Sequence, residues 1–157
     1  MNDSHFELDR TDRAILNALL RNARITMLAL GEKVGLSKTP VTARVKRLEA
    51  EGVITGYHIG LSASRLGLEH IAFLEIRLGD TRERALQEFN QAIREIPEVE
   101  ECHMIAGGFD YLAKIRTRDI KDYRNVLSER ILRLPHIAST STYVSMESVK
   151  DRGVDQF

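Results

Sequence analysis

The sequence is poor in several things that would announce a chemistry. Tryptophan is absent, and the one cysteine, Cys102, has no second thiol to pair with, which fits a reducing compartment. No apolar run approaches the ~20 residues that a membrane-spanning helix needs, and Met1–Arg10 is too polar for a secretory signal. The formal net charge is zero, so no global field draws the chain to a polyanion. Ser-His-Asp ordering, a phosphate loop and a dinucleotide fingerprint are all missing. His103 stands beside Cys102 but lacks a second ligand pair at zinc spacing, so both read as packing residues. These absences lead to an expectation of a soluble cytoplasmic protein with no enzymatic activity, no metal and no resident cofactor.

What is present is unevenly placed. Residues 1–60 hold nine Lys/Arg against seven Asp/Glu, and residues 61–157 hold 14 against 16. From Lys33 to Leu48 there are five bases and no acid. Such a stripe suits a polyanion contact, and by itself it suits a solvated helix face equally well.

Periodicity gives the stripe a context. Ile15, Leu16, Leu19 and Leu20 predict one apolar face of a first helix, with Asp9 as N-cap and Asp12 in the first turn. A second helix runs from about Thr26 to Val34 and turns at Gly35. Ser37 caps a third, in which Pro40 is tolerated because the first turn spares its N–H, and Gly52 ends it. So tight a turn between the second and third helices, across Leu28–Arg47, predicts a helix-turn-helix. On the wheel, Val41, Val45 and Leu48 face inward. Thr39, Pro40, Thr42, Ala43, Lys46 and Arg47 face outward or flank that side, and Lys38 and Arg44 lie at the margins, within reach of phosphates. Ser37, Lys38, Thr39, Pro40, Thr42, Arg44, Lys46 and Arg47 are thus the candidate DNA contacts, with double-stranded DNA as partner.

Val53–Ile59 is β-branched and aromatic and predicts a connector strand. Ser62–Gly67 reads as a hinge, which divides the chain into domains 1–62 and 63–157. The second half contains a repeat. Strand, helix, strand at 69–78, 81–95 and 98–106 is followed by strand, helix, strand at 110–118, 120–133 and 137–146. Pro97 and Pro135 stop the two helices at an offset of 38 residues. Two such units predict a ferredoxin-like βαββαβ sheet with helices on one face, and the whole chain is α+β. The pairs Ile71/Phe73, Val99/His103 and Tyr143/Ser145 predict a bare apolar face that packs on another copy in a homodimer.

Leu8–Leu16, Val34–Val41 and Arg47–Ile54, with Glu101-Cys102-His103, Gly107–Leu112, Tyr123-Arg124, Leu132–Pro135 and Thr142–Glu147, resemble the Lrp/AsnC family, the leucine-responsive or feast/famine regulators. The resemblance spans roughly residues 7–150. It is nearest to the branch of the leucine-responsive proteins and the proline-dehydrogenase regulators. It implies a winged helix-turn-helix domain, a ligand-binding C-terminal domain of the RAM or ACT type, and homodimers that assemble to tetramers or octamers. It implies a bacterial or archaeal, nucleoid-associated transcription regulator of amino-acid metabolism genes. A free amino acid would be its effector: leucine, another apolar amino acid, or proline. An architectural DNA-binding protein with little sequence choice is the alternative.

An amino-acid effector needs acceptors, donors and a selective wall. Gly107-Gly108 offers backbone N–H groups, Asp110 could accept from an ammonium or fix the loop, and Thr140, Ser141 and Thr142 offer hydroxyls. Met104 and Ala106 would form the apolar wall, and Phe109 lies within the same motif. A tight hairpin with an Asp-capped turn is the other reading of these residues. By the resemblance the effector sits between C-terminal domains around this loop, at Asp110, and many relatives carry an acid where this chain has Gly108.

Overall fold

In the structure, a computed structural model, residues 6–151 and 154 are described; the polar segment Met1–His5 lies outside them. The chain divides into two compact units, residues 1–59 and 60–157.

The first unit is three helices, α1 (Arg10–Arg21), α2 (Met27–Val34) and α3 (Lys38–Ala50). Asp9 and Asp12 close a reciprocal capping box on α1, the Asp12 N–H donating to Asp9 Oδ1 at 2.7 Å. Thr26 caps α2, and Gly35 ends it at φ 73°. The core is Ile15, Ala18, Leu19, Leu30, Val41, Val45 and Leu48. Leu20 does not join it and is 84% exposed. At about 100° per residue it stands ~140° from Ile15, and Ala18 fills the stripe instead.

Gly31 was not anticipated as a key residue. A Cβ there would lie 2.5 Å from the Leu36 carbonyl, so the close passage of the α2–α3 turn over α2 requires glycine. Val53–Ile59 is not a strand: no ladder forms, Val53 and Ile54 pack on the first core, and Tyr57 and Ile59 are exposed. β propensity expresses itself only beside a pairing partner.

The second unit opens with α4 (Ala63–Leu66), a turn of helix capped by Ser62 and ended by Gly67 at φ 68°. Ser62–Gly67 is thus a capped turn, where composition suggested a hinge. β1 (His70–Leu78), α5 (Glu83–Arg94), β2 (Val99–Met104), β3 (Tyr111–Thr117), α6 (Ile120–Glu129) and β4 (Ile137–Val144) follow. The predicted helix 120–133 stops at Glu129 and continues as a 3₁₀ turn, Ile131–Arg133. The sheet runs β2-β3-β1-β4, all antiparallel, the ferredoxin-like order.

Alternate residues Ala72, Leu74, Ile76 and Leu78 of β1 meet Phe89 and Ile93 of α5 and Tyr123 and Val126 of α6 in the core. The other face of the sheet is bare of helices. Phe73 and Tyr143 are cross-strand partners there, 38% and 53% exposed. Val99 and His103 do not share that face as expected. A register shift between Val99 and Glu101 leaves Val99 against the core, with His103 exposed opposite Leu112.

Candidate nucleic-acid interface and ligand loop

α3 presents Ser37, Lys38, Thr39, Pro40, Ala43 and Lys46 to solvent, while Val41, Val45 and Leu48 hold it to the core. Ser37 takes the N-cap position, yet its hydroxyl makes no cap bond. Pro40 is the third helical residue, so the N–H that a cap serine most often receives does not exist. Among the described residues the Ser37 hydroxyl and the first-turn amides of Lys38 and Thr39 therefore have no partner, as an anion-binding helix start requires. Thr42 is half-buried and its hydroxyl donates to the Lys38 carbonyl at 2.7 Å. Among the described residues Lys38 and Lys46 have no ion-pair partner.

The two arginines behave differently from the lysines. Arg44 Nη1 reaches Asp9 Oδ2 at 2.5 Å and Asp12 Oδ1 at 2.8 Å, and Arg47 Nη2 reaches Asp12 Oδ2 at 2.5 Å. Arg47 also lies over the Phe6 ring, 5.3 Å from its centroid. Sequence reasoning set both arginines free for phosphates or bases; the structure ties them to α1 through a fully buried carboxylate. The missed residue is Asp12, read only as a first-turn acid. The Asp12 backbone N–H, and then Arg44, hold the Asp9 carboxyl below its ordinary range.

In the second unit Ala106, Gly107 and Gly108 are exposed between β2 and β3, with Phe109 half-buried and Met104 exposed. Asp110 clasps the loop to β1. Its Oδ2 accepts the Leu78 N–H at 2.7 Å, and its own N–H donates to the Ile76 carbonyl at 3.0 Å. The Ile105 N–H donates to the Asp110 carbonyl at 2.8 Å. The β4 hydroxyls do not converge. Thr140 and Thr142 oppose Ile76 and Leu74 on the helix side, where Thr142 meets the Tyr123 hydroxyl at 2.7 Å. Ser141 opposes Glu75 on the bare face. Arg77, which the sequence did not single out, stands on β1 beside the loop, its Nη2 4.0 Å from where a Gly108 Cβ would be.

Burial pushes the Cys102 thiol up to about 11, the state of a packing residue and not of a reactive thiolate. Among the described residues no group of three or more His, Cys, Asp or Glu could hold a metal, and no helix is long and apolar enough to cross a membrane.

With this geometry in view, the comparisons assign each unit. Residues 8–55 match the model of a winged helix-turn-helix DNA-binding domain, and residues 71–155 match the Lrp/AsnC ligand binding domain. The chain belongs to the Lrp/AsnC family. This Lrp/AsnC chain is 57% identical to a proline dehydrogenase transcriptional activator of Rhodobacter capsulatus, over 92% of this chain and 94% of the relative. It is 44% identical to the leucine-responsive regulatory protein of Escherichia coli K12, over 92% and 88%. A transcriptional regulator from Neisseria meningitidis, solved in complex with L-Met, superposes at a TM-score of 0.85 with 28% identity, over 94% and 96%. The chain is a DNA-binding transcriptional regulator with a ligand-binding domain, and not an enzyme.

Proposed function

We propose that the chain is a sequence-specific regulator of amino-acid metabolism genes, switched by a free amino acid that binds around Gly107–Asp110. The observation that carries this reading is the 57% identity to a proline dehydrogenase activator, which extends through both units. Proline is accordingly the first effector to try, followed by leucine and methionine, after the names of the other relatives.

At the DNA end, α3 enters the major groove. Lys38 and Lys46 take phosphates together with the Ser37 hydroxyl and the free first-turn amides, while Thr39, Pro40 and Ala43 let the backbone approach base edges. Arg44 and Arg47 orient the helix from behind, and Arg47 reaches DNA from its tethered position.

At the ligand end, the loop amides receive a carboxylate, with Met104, Ala106 and Phe109 as the apolar neighbours of the effector side chain. Asp110 serves as the clasp of the loop, and the divergent hydroxyls of Thr140, Ser141 and Thr142 form no common rim with it. The bare sheet face around Phe73 and Tyr143 pairs two copies into a homodimer, and dimers assemble further to tetramers or octamers. The effector binds one assembly state better than another, and by that difference shifts the spacing of the DNA-reading helices. The protein works in the cytoplasm on the bacterial or archaeal chromosome.

Thermal shifts of the full chain against all twenty amino acids test the ligand end. A ligand at 100 times its Kd stabilises by about 2.7 kcal/mol, so one or a few amino acids raise the melting temperature by several degrees. A flat panel removes the effector reading. In a gel shift on the gene's own upstream DNA, the same amino acid alters the retarded species.

A further inference from the structure

The arginines of the second unit divide into two groups. Arg82, Arg84, Arg116, Arg118, Arg130 and Arg133 each pair with a carboxylate. Arg65, Arg77, Arg94 and Arg124 are exposed and, among the described residues, pair with none, and of these four it is Arg77 that lies against the loop at Gly108. It occupies the bare face at the end of β1, opposite Ser139 of β4, at the register shift between Arg77 and Leu78. The next residue, Leu78, gives its N–H to Asp110, so the clasp that fixes the loop also fixes the backbone beside Arg77.

We propose that Arg77 is the carboxylate anchor of the effector loop, and that Gly108 is what keeps it available. The anchor rests on the effector reading given above and names the group that such an effector would meet first. A guanidinium presents parallel N–H donors that match a carboxylate in two-pronged fashion. Here it stands beside a loop in which, among the described residues, the amides of Gly107 and Gly108 have no protein acceptor.

A Cβ on Gly108 would lie 4.0 Å from Arg77 Nη2, in ordinary contact. The position therefore tolerates a side chain, and its identity decides the state of Arg77. An acidic side chain there would reach the guanidinium and satisfy it internally. Glycine leaves the charge free and the amides uncovered, so the ligand's own carboxylate supplies the missing partner. Asp110 accepts the Leu78 N–H as the clasp and, being an acceptor itself, offers a carboxylate nothing, so the recognition of negative charge falls to Arg77.

The test is calorimetric titration of the full-length protein with L-proline, L-leucine and L-methionine, each beside its α-carboxamide. The amide keeps the side chain and the ammonium and removes the carboxylate. The wild type binds its preferred acid about 30-fold more tightly than the amide, the scale of a charged hydrogen-bonded pair. Arg77→Met brings the acid down to the level of the amide, and Arg77→Lys restores part of the difference. Gly108→Asp, which leaves Arg77 in place, abolishes the acid preference as Arg77→Met does, and circular dichroism confirms that each variant is folded. An unchanged acid-to-amide ratio in Arg77→Met or in Gly108→Asp overturns the anchor while leaving the effector reading intact. A wild type that binds none of the three acids overturns both.

Discussion

Asp12 is a fully buried carboxylate whose two oxygens receive Arg44 and Arg47, and it also completes the α1 capping box. Asp12→Ala removes the return half of the capping box and the ion pairs of Asp12 with Arg44 and Arg47, while the Asp9 cap and the Asp9–Arg44 pair remain, so the loss is about 2 kcal/mol, read as a lower urea midpoint. Lys46→Ala has the opposite signature: stability is unchanged and DNA affinity falls. Asp9 shows its pairing through pH. Its carboxyl is held down first by the Asp12 N–H and then by Arg44. A depressed acid stabilises the fold at pH values above its unfolded pKa of about 4 and loses that contribution as pH falls through the folded value. Asp9→Asn therefore flattens the acid limb of melting temperature against pH. Cys102, raised to about 11 by burial, exposes little thiolate at pH 8, so it alkylates about 100-fold more slowly than glutathione. At this scale the sequence names residues well and roles less well. Asp9 and Asp12 were legible as helix-start acids. That Asp12 would hold two arginines was not, because a pairing across more than thirty positions leaves no local pattern.

Among the elements, the helix-turn-helix depends on a single close approach. Gly31→Ala drives a Cβ to 2.5 Å from the Leu36 carbonyl, and backbone cannot swing aside as a side chain can. The expected cost is about 2 kcal/mol, seen as a lower thermal midpoint together with weaker DNA binding; an unchanged midpoint would show that the turn relaxes. The helices were legible because caps, Gly35 and the 3.6-residue period agree with one another. Val53–Ile59 was misread for the converse reason, since a strand is a relation between two segments and one segment cannot specify it. The fault at Val99/His103 has the same origin: an inserted residue in one strand changes which face every later side chain takes. The loop at Gly107–Asp110 was legible as a glycine-rich joint before an acid. Whether that acid faced a ligand or its own backbone needed the position of Leu78, which comes from a distant strand.

Taken as a molecule, the chain couples two units whose separate chemistries are polyanion contact and small-ligand binding, with neutral net charge overall. With no net charge on the whole chain, the proposed attraction of α3 for DNA has no global field to hide behind, and this makes the assignment measurable. For assembly, the exposed pair Phe73 and Tyr143 gives a direct prediction. If the proposed pairing of copies uses this face, Phe73→Lys with Tyr143→Lys lowers the sedimentation coefficient to that of a smaller species, and an unchanged coefficient removes this face as the contact between copies. The central claim is that α3 holds DNA through its unpaired lysines. Fluorescence anisotropy on the upstream duplex across a salt series tests it most directly, comparing the wild type with Lys38→Ala/Lys46→Ala. Each lost phosphate contact reduces the slope of log affinity against log salt by about 0.9. The double variant therefore shows a slope shallower by about 1.8 per protomer, with melting unchanged. A slope equal to the wild type's would contradict the assignment of α3 as the DNA-binding helix.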